Sequence, residues 1–251
     1  MYGWRAKVGV LVPDGNSTME PELYRLAPPG MSFHFARLPA GPGATTLDAI
    51  IRDYVASAAH AAEAVAKVEP DLIVFGLTAG SFVPASGGNA GIESAIRART
   101  GIPALAAGTC VVEALRAVSV RRLAEVTPYT HDVSERGRRY LEAHGFQVAL
   151  LHTIAAMAEG VQGIYRLHPE RIYREVKMAL HGHQVDGIFL SGTGVHSLDI
   201  IPVLEADLGL PVVSSNTAVL WSVLRRLGVT PLPGGGRLLE YAGRGEAHVE
   251  A

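Results

Sequence analysis

Thiols are almost missing from this chain: Cys110 is its single cysteine. That excludes an internal disulfide and fits a reducing, cytoplasmic setting. Long apolar runs are missing as well. No stretch reaches the ~18 apolar residues that a membrane-spanning helix needs. Residues 1–12 lack the charged, apolar and small-residue zones of a signal peptide. Neither sign of charge dominates, with Lys+Arg at 22 against Asp+Glu at 24. There is no basic run and no interleaving of basic and aromatic residues, so neither nucleic acid nor a membrane is an expected partner. No G-x-G-x-x-G opens a helix after the first apolar run, and no Gly-Lys-Ser/Thr occurs. The stretch around Gly192 and Gly194 has a G-x-G pair without the third glycine. Metal-ligand spacing is absent too. His181 and His183 lie between a helix and a strand start, away from the ligand side of a sheet, and are expected to be solvated.

What is present suits a core and its turns. The chain has 251 residues, 48% of them apolar, enough for one large or two small domains. Short apolar runs are Val8–Val12, Leu72–Phe75, Ala104–Ala106, Leu123–Thr127, Val148–Leu151, Ile188–Ser191 and Pro211–Val213. Helical spacing separates them at Leu47–Val68, at Ser134–His144 (with Gly145 as C-cap) and at Pro169–His181. This alternation predicts an α/β fold with mostly parallel sheets, whose ligands sit beyond the carboxyl ends of the strands. Pro233–Gly236 and the charged segment after Gly243 read as loose.

The chain also repeats itself. Asp71-Leu-Ile-Val-Phe-Gly-Leu-Thr78 is echoed by Asp186-Gly-Ile-Phe-Leu-Ser-Gly-Thr193. The unit GIPALAAGTCVVEAL from Gly101 is echoed by GLPVVSSNTAVLWSV from Gly209, with Gly101/Gly209, Pro103/Pro211, Thr109/Thr217 and Val111/Val219 at equal offsets. Two similar α/β lobes related by a pseudo-two-fold axis are expected. The first covers residues 1–115, with 213–251 returning to it, and the second covers 116–212. The turns Leu77-Thr78 and Gly192-Thr193 then face each other across a cleft. Polar turns end the predicted strands at 13–18, 78–81, 127–130 and 192–196, and 214–217 opens a helix. Their glycines allow close backbone approach, and their hydroxyls and N–H groups suit a small anion, most simply a carboxylate.

Together, VPDGNSTMEPE, FGLTAGSF, VTPY and LSGTGVHSLDIIPVLEADLGLPVVSSNTAVLW resemble the aspartate/glutamate racemase superfamily. Within it, the branch of maleate cis-trans isomerases and arylmalonate decarboxylases is most similar, from about Val8 to Leu227. The resemblance implies two α/β lobes, a site between them, a small carboxylate substrate and no metal or organic cofactor. It also implies a tendency to form homo-oligomers, to which the apolar helix Ala218–Leu227 could contribute. Asn16, Thr78, Tyr129, Thr193, Gly194 and Asn216 fall on or beside carboxylate-holding positions. The Tyr129 hydroxyl and the amides around Thr78 and Thr193 form an oxyanion hole for a developing enediolate in this reading. Ala79, Gly80 and Ser81 continue the first turn.

The sequence departs from the family at both reactive positions, because the family's two cysteines fall on Leu77 and Gly192. Leu77 then becomes an apolar wall. His196, where the isomerase pattern has arginine, is the leading replacement proton carrier; capping a helix or binding substrate as a cation are its other readings. Asp14 is second, with a turn or N-cap role as its alternative. Cys110 opens a helix away from the family's thiol positions and is read as structural. Glu125 interrupts a strand and has Arg121, Arg138 or a partner molecule as open choices. His131 is a possible cleft residue, and Arg166 and His168 read as surface. The expectation is a cofactor-independent enzyme transferring a proton next to a carboxylate, as an isomerase or a decarboxylase-like lyase. A catalytically silent carboxylate-binding or regulatory protein is the alternative.

Overall fold

The computed structural model describes residues 2–83 and 87–243; the charged segment after Gly243 lies outside the described residues. Its elements run β1 (Ala6–Pro13), α1 (Met19–Arg25), β2 (Met31–Leu38), α2 (Leu47–Ala66), β3 (Leu72–Phe75), α3 (Gly88–Thr100), β4 (Ala104–Ala106), α4 (Ala107–Ala117), β5 (Arg122–Thr127), α5 (His131–Ala143) and β6 (Gln147–Thr153). They continue with α6 (Gln162–Tyr165), α7 (Pro169–Ala179), β7 (Gly187–Leu190), α8 (Ile201–Leu208), β8 (Val212–Ser214), α9 (Ser215–Arg226) and α10 (Arg237–Gly243). A 3-10 turn, Ala79–Phe82, follows β3.

Two parallel four-stranded sheets form, in the orders β2-β1-β3-β4 and β6-β5-β7-β8. Laying β1–β4 on β5–β8 makes the two orders identical, as the sequence repeat demands. The repeated residues do equivalent work. The Asp71 carboxylate accepts Lys7 N, and the Asp186 carboxylate accepts Arg121 N and Arg122 N, so each ties down the start of a neighbouring strand. Ile73 N donates to Pro103 O and Ile188 N to Pro211 O, which sets the register of the last strand in each sheet. Gly101 and Gly209 end α3 and α8 with φ of +74° and +70°, a conformation that a side chain disfavours.

Alternate strand residues face two cores. Leu11, Ile73, Phe75, Val126 and Ile188 join one, and Val8, Val10, Val74, Leu123, Phe189 and Val213 join the other. Helices α4 and α9, which follow the matched strands β4 and β8, pack against each other within the second core. That contact ties the end of one sheet to the end of the other.

Strand β2 was not legible from its pattern. It is an edge strand in which His34 and Arg37 interrupt the apolar residues of MSFHFARL. The segment read as loose is ordered: Gly235 and Gly236 are buried, and Arg237 N donates to Glu205 Oε2 at the start of α10. A side chain at Gly235 would collide with Leu239. Glu205, within the LEADLGLP motif, also accepts Val212 N, so one buried carboxylate links α8, β8 and α10.

Glu125 takes neither arginine. Arg138 is engaged by Glu135 and Glu142, both at 2.7 Å. Both oxygens of Glu125 are buried without a hydrogen-bond partner, as is Ser191 Oγ just past β7. Gly137 on α5 leaves the room: a Cβ there would lie 2.8 Å from Glu125 Oε1 and 2.9 Å from Phe82 Cε2. Burial pushes this carboxyl up to about 8, with Ser191 opposing. The folded-state value lies above the unfolded one. Stability is therefore full below the unfolded value and falls as pH rises through the folded value. Glu125→Gln removes that titration. The melting temperature of the variant relative to wild type should rise by roughly 8–16 °C between pH 5 and pH 8, from ~1.4 kcal/mol per pH unit and about 2–4 °C per kcal/mol at this size. A difference that stays constant across calorimetric scans at these pH values would contradict it.

Candidate active site

The two matched turns meet, and buried hydrogen bonds hold them together. Thr193 Oγ1 donates to Gly76 O at 2.9 Å and accepts Asn16 Nδ2 at 3.1 Å. Thr18 Oγ1 donates to Gly194 O at 3.1 Å. Ser215 Oγ accepts both Thr78 Oγ1 (2.8 Å) and Gly192 N (2.9 Å), clasping one turn from each lobe. Asn16 is fixed by its own turn, its Oδ1 accepting Thr18 N and Met19 N. Below them, the buried Glu22 accepts Ser197 N, Leu198 N and Asn216 Nδ2. Asn216 Nδ2 also reaches Thr193 O at 3.2 Å, so this amide braces the second turn from behind.

Where the turns meet lies a cavity of about 30 Å³, room for one or two waters. The first lobe lines it with Pro13, Asn16, Leu47, Ile51, Tyr54, Leu77 and Ala79, and the second with Tyr129, Val161, Ile164, Tyr165, Thr193 and Gly194. None of these residues carries a formal charge. Tyr165 closes it: a Cβ on Gly194 would come within 2.6 Å of its ring and one on Gly15 within 3.1 Å. Two larger grooves, about 800 and 720 Å³, are open and lined by charges of both signs. The smaller cavity is the candidate site because both repeated turns reach it.

Of the residues singled out in the sequence, Asn16, Leu77, Ala79, Tyr129, Thr193 and Gly194 line the cavity. Thr78, Gly192 and Asn216 stand behind it in the bonds just described. Gly80 packs on Leu77 and Phe75, and Ser81 Oγ accepts Gly108 N at the start of α4. Gly192 has φ +118°, and a Cβ there would lie 3.0 Å from the Tyr129 hydroxyl. Tyr129 therefore occupies the space that a side chain at the second position would use. Burial foremost, then Tyr165, holds the Tyr129 phenol above its ordinary value, although Thr78 and Ala79 face its oxygen. Asp14 is exposed at the rim; its Oδ1 accepts Gly15 N and the Tyr54 hydroxyl. His196 is half-buried, does not line the cavity, and adds to the field that holds Asp199 low, after the Arg25 ion pair. His131 is exposed in the 720 Å³ groove, Arg166 pairs with Glu159, and His168 Nδ1 accepts Glu170 N as the cap of α7. His181 and His183 are exposed, and no cluster of metal-ligating side chains occurs among the described residues. Cys110 is fully buried in α4, where burial pushes its thiol up to about 12, so it is no nucleophile.

Sequence reasoning missed Leu47, Ile51 and Tyr54 on α2 and Val161, Ile164 and Tyr165 around α6. These segments follow β2 and β6, which are equivalent strands of the two sheets. Recognising β2 would have placed both crossovers over the cleft.

The family profile of arylmalonate decarboxylase matches residues 8–239. An arylmalonate decarboxylase of Bordetella bronchiseptica is 31% identical over 93% of this chain and 96% of its own. A maleate isomerase of Nocardia farcinica is 30% identical over 93% and 95%. A solved arylmalonate decarboxylase, 30% identical, aligns with a TM-score of 0.78 over 93% of this chain and 99% of that one. The maleate isomerase of Pseudomonas putida S16, 22% identical, shares the fold at a TM-score of 0.85 over 94% of this chain and 99% of that one. With sequence and two-lobed architecture agreeing over almost the whole length, the chain belongs to the arylmalonate decarboxylase family.

Proposed function

We propose that this chain is a cofactor-independent enzyme moving a proton at the carbon next to a carboxylate, in a small mono- or dicarboxylic acid that bears an apolar substituent. The reaction passes through an enediolate-like intermediate and ends in decarboxylation or another lyase-type step. The observation carrying this reading is the cavity itself, with apolar walls, a neutral polar edge and no thiol. A substituent packs against Leu47, Ile51, Leu77 and Ile164, and the carboxylate meets Asn16, Thr193 and the Tyr129 hydroxyl. A second carboxylate forced against the apolar walls loses its hydration with no ion pair in return. Its departure as CO₂ relieves that cost. Charge developing on the remaining carboxylate is met by dipoles already held in place by the inter-lobe bonds. A Nocardia farcinica maleate isomerase variant has been solved with a covalently bound succinylcysteine intermediate. No cysteine lines the cavity here, which favours proton transfer without a covalent adduct. Substrate entry requires the Val161–Tyr165 segment to move, because the cavity holds only one or two waters.

In D₂O, phenylmalonate, alkylmalonates, maleate and hydroxy- and amino-dicarboxylates are expected to separate by NMR. Malonates with an apolar substituent should lose CO₂ and gain deuterium at the α-carbon. Binding seen by thermal shift, with neither turnover nor exchange for any of them, would instead make the chain a silent carboxylate-binding protein.

The two replaced positions should respond unequally to thiols. Leu77→Cys should fold with a melting temperature within a few degrees of wild type. Gly192→Cys should cost about 1–3 kcal/mol, because a non-glycine residue adopts the left-handed region and crowds Tyr129. Equal melting temperatures for the two variants would count against this account of Gly192.

A further inference from the structure

Proton transfer in a closed cavity needs a carrier and a route to bulk water. Neither His196 nor any cysteine, carboxylate or amine lines the cavity. Among the described residues, its only ionisable lining groups are the phenols of Tyr54, Tyr129 and Tyr165. They differ in what they touch. The Tyr129 oxygen faces inward to Thr78 and Ala79. Tyr165 is near Asp14 and Arg37 and has no hydrogen bond to a carboxylate among the described residues. Tyr54 is 4% exposed and its hydroxyl donates to Asp14 Oδ1 at 2.6 Å. Asp14 is exposed, and Gly15 N fixes the same oxygen at 2.8 Å. Tyr54 thus lies between the cavity and a solvated carboxylate, and α2 and the β1–α1 turn hold both ends in place.

We propose that Tyr54 is the catalytic proton carrier of this site and that Asp14 is the positioning residue that connects it to solvent. The assignment rests on the proton-transfer reading above. In the protonation step the Tyr54 O–H turns from Asp14 toward the α-carbon of the enediolate. The O–H bond breaks, the enediolate electron pair forms the new C–H bond, and a carboxylate and a phenolate result. Hydronium from bulk solvent protonates Asp14, leaving water, and Asp14 passes that proton to the phenolate and returns to its carboxylate form. The net consumption is one solvent proton, which decarboxylation requires when CO₂ leaves a carboxylate in place of hydrogen. Burial, followed by the bond to Asp14, holds the Tyr54 phenol above its ordinary value. Its phenolate is therefore a strong base that takes a proton readily from a carboxylic acid, which favours the reset.

The test uses the full chain with phenylmalonate and maleate in H₂O and D₂O. Tyr54→Phe removes one oxygen, and Asp14→Asn keeps an acceptor for the Tyr54 hydroxyl while removing the proton-exchanging carboxylate. Tyr54→Phe should lower kcat by about 10²-fold or more, the scale of general acid catalysis, with KM within about threefold. Asp14→Asn should lower kcat by roughly tenfold and enlarge the solvent isotope effect on kcat, because recharging the phenol then limits turnover. A purely structural bond between α2 and the turn would instead lower the melting temperature and raise KM, leaving the isotope effect unchanged. That pattern, or wild-type kcat in both variants of an active enzyme, overturns the relay alone. A wild-type protein inert toward every probe overturns the relay together with the function on which it rests.

Discussion

The clasp between the two matched turns is the constraint on which the rest depends. Ser215 Oγ accepts from Thr78 and from Gly192 N, while Thr193 joins Asn16 to the Gly76 carbonyl. These are short polar groups buried where water cannot compensate for a broken bond, so each turn is held by the other. The strands deliver the turns to the same place, but the clasp sets their separation. The cavity is what remains between them.

Three buried glutamates show how differently the fold treats charge. Glu22 and Glu205 are surrounded by backbone N–H donors and act as fixed anchors, one behind the Gly192–His196 turn and one beneath α10. At Glu205 these donors oppose burial, which still holds the carboxyl above its ordinary value. Glu125 has no donor in hydrogen-bond geometry and faces Phe82, Gly137 and Ser191, so it is held protonated toward neutrality. The first two make the site rigid. The third makes stability depend on pH without touching the cavity.

Leu77 and Gly192, the positions where the resemblance expects thiols, each suit their surroundings. Leu77 is buried among apolar neighbours and becomes a wall. Gly192 leaves room for the Tyr129 hydroxyl, and its positive φ suits no other residue as well. The ionisable side chains lining the cavity are phenols, and that of Tyr54 reaches solvent through Asp14 from a crossover helix.

Much of this was legible in the sequence. Short apolar runs and period-3.6 patterns marked most strands and helices, and the repeat from Asp71 and Asp186 pointed to a doubled fold, because equivalent residues must tie down equivalent strand starts. The turns of the site were legible because glycine, serine and threonine at strand ends have few other uses. Strand β2 was not, since an edge strand tolerates His34 and Arg37 and loses its apolar signature. With it went the crossovers carrying Tyr54 and Tyr165. The sequence by itself pointed to the two parallel sheets and the family, which are properties of local pattern and residue identity. Only the tertiary structure decided that Asn216 braces the second turn from behind, that His196 stands outside the cavity, and that Asp14 accepts the Tyr54 hydroxyl. Each depends on which side chain reaches the same few ångströms from a distant part of the chain, and no spacing along the sequence encodes that distance.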